Sequence, residues 1–224
     1  MATPFTAVHL DVVSSTQDEA RERFVGKPVL VSATGQTAGR GRTGAVWETA
    51  PRAMAVSLAW RPEWPEGAAP RLTLVAGLAA LDVLGAEVGL KWPNDLMVAD
   101  RKVGGILTEQ AGGVVVTGLG VNLFWPHPPS DYAALRDEDP GPSSGAVLAE
   151  AWGIRLLQRV AGGSDEWGRK EYMARCVTIG RRIAWDPRGF GIAVGIATEG
   201  GLIVATDVGR VVLESGAVHS VRGG

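Results

Sequence analysis

Polar and apolar positions alternate across residues 5–13, with enough β-branched side chains for a strand. Ser14, Ser15 and Thr16 follow as candidate N-caps for a short helix, QDEARERF, with its acids early and its arginines late. Residues 28–34 (PVLVSAT) and 53–60 (AMAVSLAW) read as two more strands. Leu72, Val75, Leu78, Ala79 and Leu81 fall at helical spacing, so a core helix is predicted over 68–86. Three strands come next: 87–91, 96–107 broken by a turn at Asp100-Arg101, and 113–123. Residues 124–144, rich in Pro, Asp and Ser, read as a surface loop. Two helices are predicted within 145–176, with an apolar face of Val147, Leu148, Ala151, Trp152, Leu156 and Leu157.

After Thr178 the pattern changes. Ile192, Val194 and Ile196 alternate, and turns are marked at Glu199-Gly200-Gly201, Asp207-Val208-Gly209 and Ser215-Gly216. Four or five short strands over 181–221 predict a small barrel. So short a segment rarely sustains its own core, so it is expected to lean on the rest. The pattern gives an α+β domain over 1–176 and a barrel over 177–224.

Composition narrows the function. A net charge of -2 lacks the basic excess of a nucleic-acid binder. Cys176 is the one cysteine, which rules out an intrachain disulfide and a cysteine zinc site. His9, His127 and His219 have no metal-ligand spacing. The N-terminal residues lack a signal-peptide pattern, and no apolar run is long enough to span a membrane, so a cytoplasmic location is expected.

The chemistry concentrates in GQTAGRGRTGAVW, residues 35–47, whose Gly39–Gly44 spells G-x-G-x-x-G. A dinucleotide loop needs a helix starting there to receive phosphate; here Pro51 and a strand follow instead, although Glu63 stands near the place of a ribose-binding acid. The kinase loop lacks its strand lysine, catalytic Asp and D-F-G, and a P-loop would end in Gly-Lys-Ser/Thr. A single R-G segment without interleaved aromatics is a weak RNA binder. Glycine N–H groups and the guanidiniums of Arg40 and Arg42 suit an anionic ligand such as phosphate, on a loop that closes when the ligand binds. A second motif, KWPNDL at 91–96, ends a strand in Lys91 and enters a turn bearing Asn94 and Asp95.

In order, G-R-G-R-x-G-x-x-W, K-W-P-N-D-L, R-K-x-G-G-I-L and G-x-G-x-N (Gly118–Asn122) resemble the biotin protein ligases, with Ser15-Thr16 fitting as well. The resemblance spans about residues 10–123, continues more loosely to the C-terminus, and implies a class II synthetase-like catalytic domain, a mixed sheet with helices, followed by an SH3-like barrel. It implies that biotin and ATP form biotinyl-5′-AMP, with Mg2+ accompanying ATP, and that biotin passes to a lysine of a biotin carboxyl carrier domain of a carboxylase. Ser15, Thr16, Gln17 and Gln36 would then meet the biotin head, although the family usually has Asn where Gln17 stands. Arg40, Gly41 and Arg42 would close over biotin and phosphate, with Ala45 where a basic residue is common. Lys91 and Arg40 would be catalytic, Lys91 standing between carboxylate and α-phosphate. Gly104 and Gly105 would admit the biotin ring, Trp47, Asn94 and Asn122 would lie near the nucleotide, and Asn94 or Asp95 would help place the magnesium ion.

A lipoate or octanoate ligase is the rival enzyme, which the intact glycine–arginine motif argues against. A biotin-sensing repressor is the rival of another class; with the first strand so near Met1, no DNA-binding domain is expected. A homodimer is a candidate assembly, with 113–123 as the edge for pairing.

Overall fold

The structure, a computed structural model, describes residues 3–220 apart from 188, 215 and 217. The first sheet has seven strands in the order β1-β2-β3-β7-β6-β5-β4. They are β1 (Thr6–Val13), β2 (Val29–Gln36), β3 (Arg52–Trp60), β4 (Val88–Lys91), β5 (Asp95–Val98), β6 (Arg101–Ala111) and β7 (Val114–Phe124). Only β1–β2 is parallel; the other neighbours run antiparallel. Helix α1 (Thr16–Arg23) packs Ala20 against Val29, Val31, Ala59 and Val116. Helices α2 (Ala69–Leu84) and α3 (Ser144–Val160) contribute Leu72, Val75, Leu78, Trp152 and Leu156 to the main core. Strand β3, central and covered on both sides, is therefore apolar almost throughout, as its unbroken sequence AMAVSLAW requires. Helix α2 begins with Pro70 in its first turn and stops at Gly85, whose φ of 110° is open to glycine.

Four sequence expectations change. The segment 96–107 is a hairpin, with β5 and β6 joined at Ala99-Asp100 and β6 running on to Ala111. Strand β7 lies between β3 and β6, so 113–123 is no edge for dimer pairing; the sheet's edges are β1 and β4. Residues 125–143 do more than cover the surface: Lys102 bridges to Tyr132, Phe124 bridges to Arg136, and Ala133 is buried. On α3, Val147 is 67% exposed and the buried stripe runs through Gly145, Ala149, Trp152, Gly153, Leu156 and Val160. Gly153 leaves room there for Leu30, whose Cδ1 an added Cβ would meet.

A short helix α4 (Arg169–Arg175) leads to a second, antiparallel sheet in the order β11-β10-β9-β8-β12. Its strands are β8 (Arg182–Trp185), β9 (Gly189–Ile196), β10 (Leu202–Thr206), β11 (Gly209–Leu213) and β12 (Val218–Ser220). The expected turn at Ser215-Gly216 and the end of the 177–224 unit fall partly outside the described residues. The alternation at Ile192 and Val194 is real but faces outward; Ala193, Gly195 and Ile196 face in. This sheet leans on the first as expected. Ile183, Ala193, Ile196, Leu202, Val204 and Val218 join the same core as α2 and β4. Trp92, 2% exposed, pins the junction: its Nε1 donates to Gly200 O at 2.9 Å and its backbone N donates to Thr178 Oγ1 at 3.0 Å.

Candidate active site

A cavity of about 500 Å³ opens where α1, the 39–47 loop, β6, β7 and β12 meet. One end of it is polar and buried. Ser15 caps α1, its Oγ accepting from Gln17 N at 3.3 Å. Thr16 donates from its N (2.8 Å) and its Oγ1 (3.1 Å) to Gln36 Oε1. A hydroxyl has one proton, so with that bond made Ser57 is the donor in its 2.9 Å contact with Thr16 Oγ1. Gln17 Nε2 reaches Leu107 O, Glu109 Oε2 and Val116 O at 3.5, 3.2 and 3.4 Å. Its Oε1 is buried with no partner among the described residues.

The floor is glycine. A Cβ on Gly118 would lie 2.7 Å from Gln17 Oε1, and one on Gly120 would lie 2.8 Å from the Trp47 ring. The G-x-G of the last motif thus makes room for two protein side chains that shape the site. Gly105 lies on the wall, under Trp47 and Lys102. Gly104 does not: its Cβ would meet Gly120 O at 2.7 Å, so its smallness serves the close approach of two strands instead of the biotin ring.

The 39–47 loop forms a small hairpin flap along the cavity. Gly41 N bonds Ala45 O at 2.7 Å, Trp47 N bonds Gly39 O at 2.9 Å, and Arg40 bridges to Val46. Arg42 turns toward the other end of the cavity, near Asn94 Oδ1 (3.5 Å) and Gly216 O (3.4 Å). Burial lowers the pKa of Arg42, with the charge of Asp95 opposing. Arg40 turns outward to α1 and pairs with Asp18 at 2.7 Å.

The second end carries cations. Lys91 closes β4 on the wall, and Lys102 reaches in from β6, its Nζ 2.6 Å from Asp95 Oδ1 and 5.8 Å from the Trp47 ring centroid. Lys102 is the lysine of R-K-x-G-G-I-L and stands outside the site residues expected from the sequence. Strict alternation back from Gly105 turns residue 102 to the opposite face. The register breaks there, Leu96 facing Gly104 and Met97 facing Lys102, and the extra residue Val103 returns Lys102 to the cavity. Ser57, Tyr132, Val218 and His219, also on the wall, carried no motif signal, since strands and a loop distant in sequence bring them in.

Asn122 is fully buried and off the wall. It ties down the 125–143 loop instead: its Nδ2 donates to Ala133 O at 3.1 Å and its O accepts from Leu135 N at 3.0 Å. Asn94 is engaged too, its Nδ2 donating to Ile106 O at 2.9 Å. Asp95 is held by Lys102, and no cluster of three metal-binding side chains is found among the described residues.

Residues 10–123 match the biotin/lipoate A/B protein ligase family. The chain belongs to that family. Among its relatives, a biotin–[acetyl-CoA-carboxylase] ligase of Mycobacterium tuberculosis (strain ATCC 25618 / H37Rv) is 34% identical over 209 residues, covering 84% of this chain and 74% of the relative. A ligase of the same name from Paracoccus denitrificans is 33% identical over 215 residues, covering 84% and 88%. The fold matches that of the biotin protein ligase from Aquifex aeolicus, solved in complex with biotin and ATP, at a TM-score of 0.79 and 23% identity over 97% of this chain and 99% of the other. As a biotin/lipoate ligase family member, the chain carries its G-R-G-R segment as the cavity's flap and its K-W-P-N-D segment as the junction of two sheets.

Proposed function

We propose that this protein is an ATP-dependent biotin protein ligase. The observation that carries the reading is the division of one cavity into a closed hydrogen-bonding end and a cationic end, with Trp47 on a glycine floor between them. A ureido ring brings two N–H donors and a carbonyl to Ser15, Thr16, Gln17 and Gln36. The dithiolane of lipoate has neither N–H donors nor a carbonyl to pair with these groups. The polar end therefore selects biotin over lipoate.

The biotin carboxylate then lies toward Lys102 and Lys91. One of its oxygens attacks the α-phosphorus of ATP, the new O–P bond forms, and the bond to pyrophosphate breaks. Both reactants are anions, so fixed positive charge is needed where they meet. Lys102 is the central cation: Asp95 keeps it aimed, and phosphate oxygens compete for the same N–H donors. Lys91, on the edge strand, and Arg42, on the flap, flank it. Magnesium enters with ATP, bound to its phosphates as part of the substrate. In the second step the amine of a carrier-domain lysine attacks the acyl carbon, AMP leaves, and an amide forms. The flap and the Tyr132 loop hold water away from the adenylate in the interval.

The test is to incubate the protein with magnesium, ATP and labelled biotin or labelled lipoate, and to separate the acyl adenylate. Biotin is expected to react and lipoate to remain unchanged; the reverse result would overturn the reading.

A further inference from the structure

The two arginines of the flap do different things. Arg42 faces the cavity's cationic end, whereas Arg40 Nη1 and Nη2 donate to Oδ2 and Oδ1 of Asp18, both at 2.7 Å. This is the parallel two-bond fork, the geometry that fixes a guanidinium plane. The bond to Arg40 holds the Asp18 carboxyl below its usual range and pushes the Arg40 pKa up. Glu109 on β6 stands 3.9 Å from Arg40 Nη2, and its Oε2 also accepts from Arg21 (2.8 Å) and Gln17 Nε2 (3.2 Å). Flap, β6 and the first turn of α1 are joined by this one network. That turn is also the one that presents Ser15, Thr16 and Gln17 to the cavity.

We propose that Asp18 is a positioning residue: by clamping Arg40 it holds the flap over a ligand whose head is bound at the same turn of α1. The proposal rests on the reading of the cavity given above. The backbone bonds of the flap are internal to it, Gly41 to Ala45 and Gly39 to Trp47. They shape the hairpin and do not attach it to the body. Attachment comes from the Trp47 ring on Gly105 and Gly120, from Arg42, and from the Arg40–Asp18 fork. A glycine-rich loop loses much backbone freedom on ordering, so each fixed anchor changes the closed fraction directly. The clamp also divides the work between the arginines. Arg40, its charge met by Asp18, secures the flap, and Arg42 carries the charge that faces phosphate.

Asp18 also sits in the first turn of α1, where an acid favours the helix whatever the flap does. The test separates the two roles. Asp18→Asn, Asp18→Glu, Arg40→Ala and the Asp18→Asn/Arg40→Ala pair are compared by three readouts: tryptic cleavage after Arg42, thermal midpoint, and kcat and KM for biotin in adenylate formation. Asp18→Asn is expected to speed flap cleavage and raise the KM for biotin about two- to fivefold, the size of a well-formed exposed pair. Its kcat should stay within about twofold, since Asp18 touches no reacting atom. Asp18→Glu should recover most of the protection, and Asp18→Asn should add nothing to Arg40→Ala. Unchanged protection, a lower KM (Asp18 merely parking an arginine meant for the ligand), or additive effects in the pair would overturn the clamp. If the unaltered protein makes no adenylate from biotin, the function fails separately, and the cleavage ratios still decide the clamp.

Discussion

At the scale of single residues, the central assignment is Lys102. It projects between Asp95 and the Trp47 ring from an interior strand, while Lys91 ends the edge strand. Removing one fixed charge donor at such a site costs about 10²–10³ in rate. Lys102→Ala is expected to lose adenylate formation by that factor and Lys91→Ala by less, with biotin binding by calorimetry largely kept in both. A larger loss in Lys91→Ala would return the central role to Lys91. The contrast shows what was legible. Ser15, Thr16, Gln17, Gln36 and the flap arginines stand in local motifs and line one cavity. Lys102 escaped because a single bulge residue reverses the face that alternation predicts. Gly104 and Asn122 misled in the opposite way. Both belong to site motifs, yet one permits strand packing and the other ties a loop.

At the scale of elements, the helices and most strands follow from periodicity, because burying one face is what makes the pattern. The failures share a cause as well. Val147 on α3 and Ile192 and Val194 on β9 are apolar and exposed, and a hydropathy pattern cannot distinguish a covered face from an open one. The loop over 125–143 reads as surface from its composition, but its backbone bonds to β6 and β7 are made by residues of any type. One of its anchors is testable. Arg52 on β3 donates from Nε and Nη2 to Asp139 at 2.8 Å each, Gly141 N adds a third bond, and the Asp139 pKa falls to about 2. A depressed carboxyl pKa means the anchor's contribution is complete above the ordinary value of about 3.9 and is lost as pH falls through the folded one. Carbon-detected titration should place Asp139 near 2, and Arg52→Ala should raise it toward the ordinary range. An unchanged value in Arg52→Ala would show that the pair does not set it.

At the scale of the whole molecule, the second sheet belongs to the site as well as to the core. Gly216, Val218 and His219 line the cavity, and Trp92 joins the two sheets directly beside Asn94. Sequence texture separated 177–224 from the rest, because short alternating strands differ from the α+β pattern before them. It could not show that Ile183, Leu202 and Val204 pack into the same core as Leu74 and Leu90. With one shared core, calorimetry should give a single cooperative unfolding transition for the full chain; two well-separated transitions would mean independent units. No helix among the described residues is long and apolar enough to cross a membrane.

The claim that unites these scales is that one cavity activates biotin and passes it to a carrier lysine. The most direct measurement is the intact mass of a purified biotin carboxyl carrier domain after incubation with this protein, biotin, magnesium and ATP. One biotinyl group is expected to be added, dependent on ATP and slowed about 10²–10³-fold by Lys102→Ala. A carrier domain that stays unmodified by biotin, or that is modified equally well by the Lys102→Ala protein, would contradict that claim.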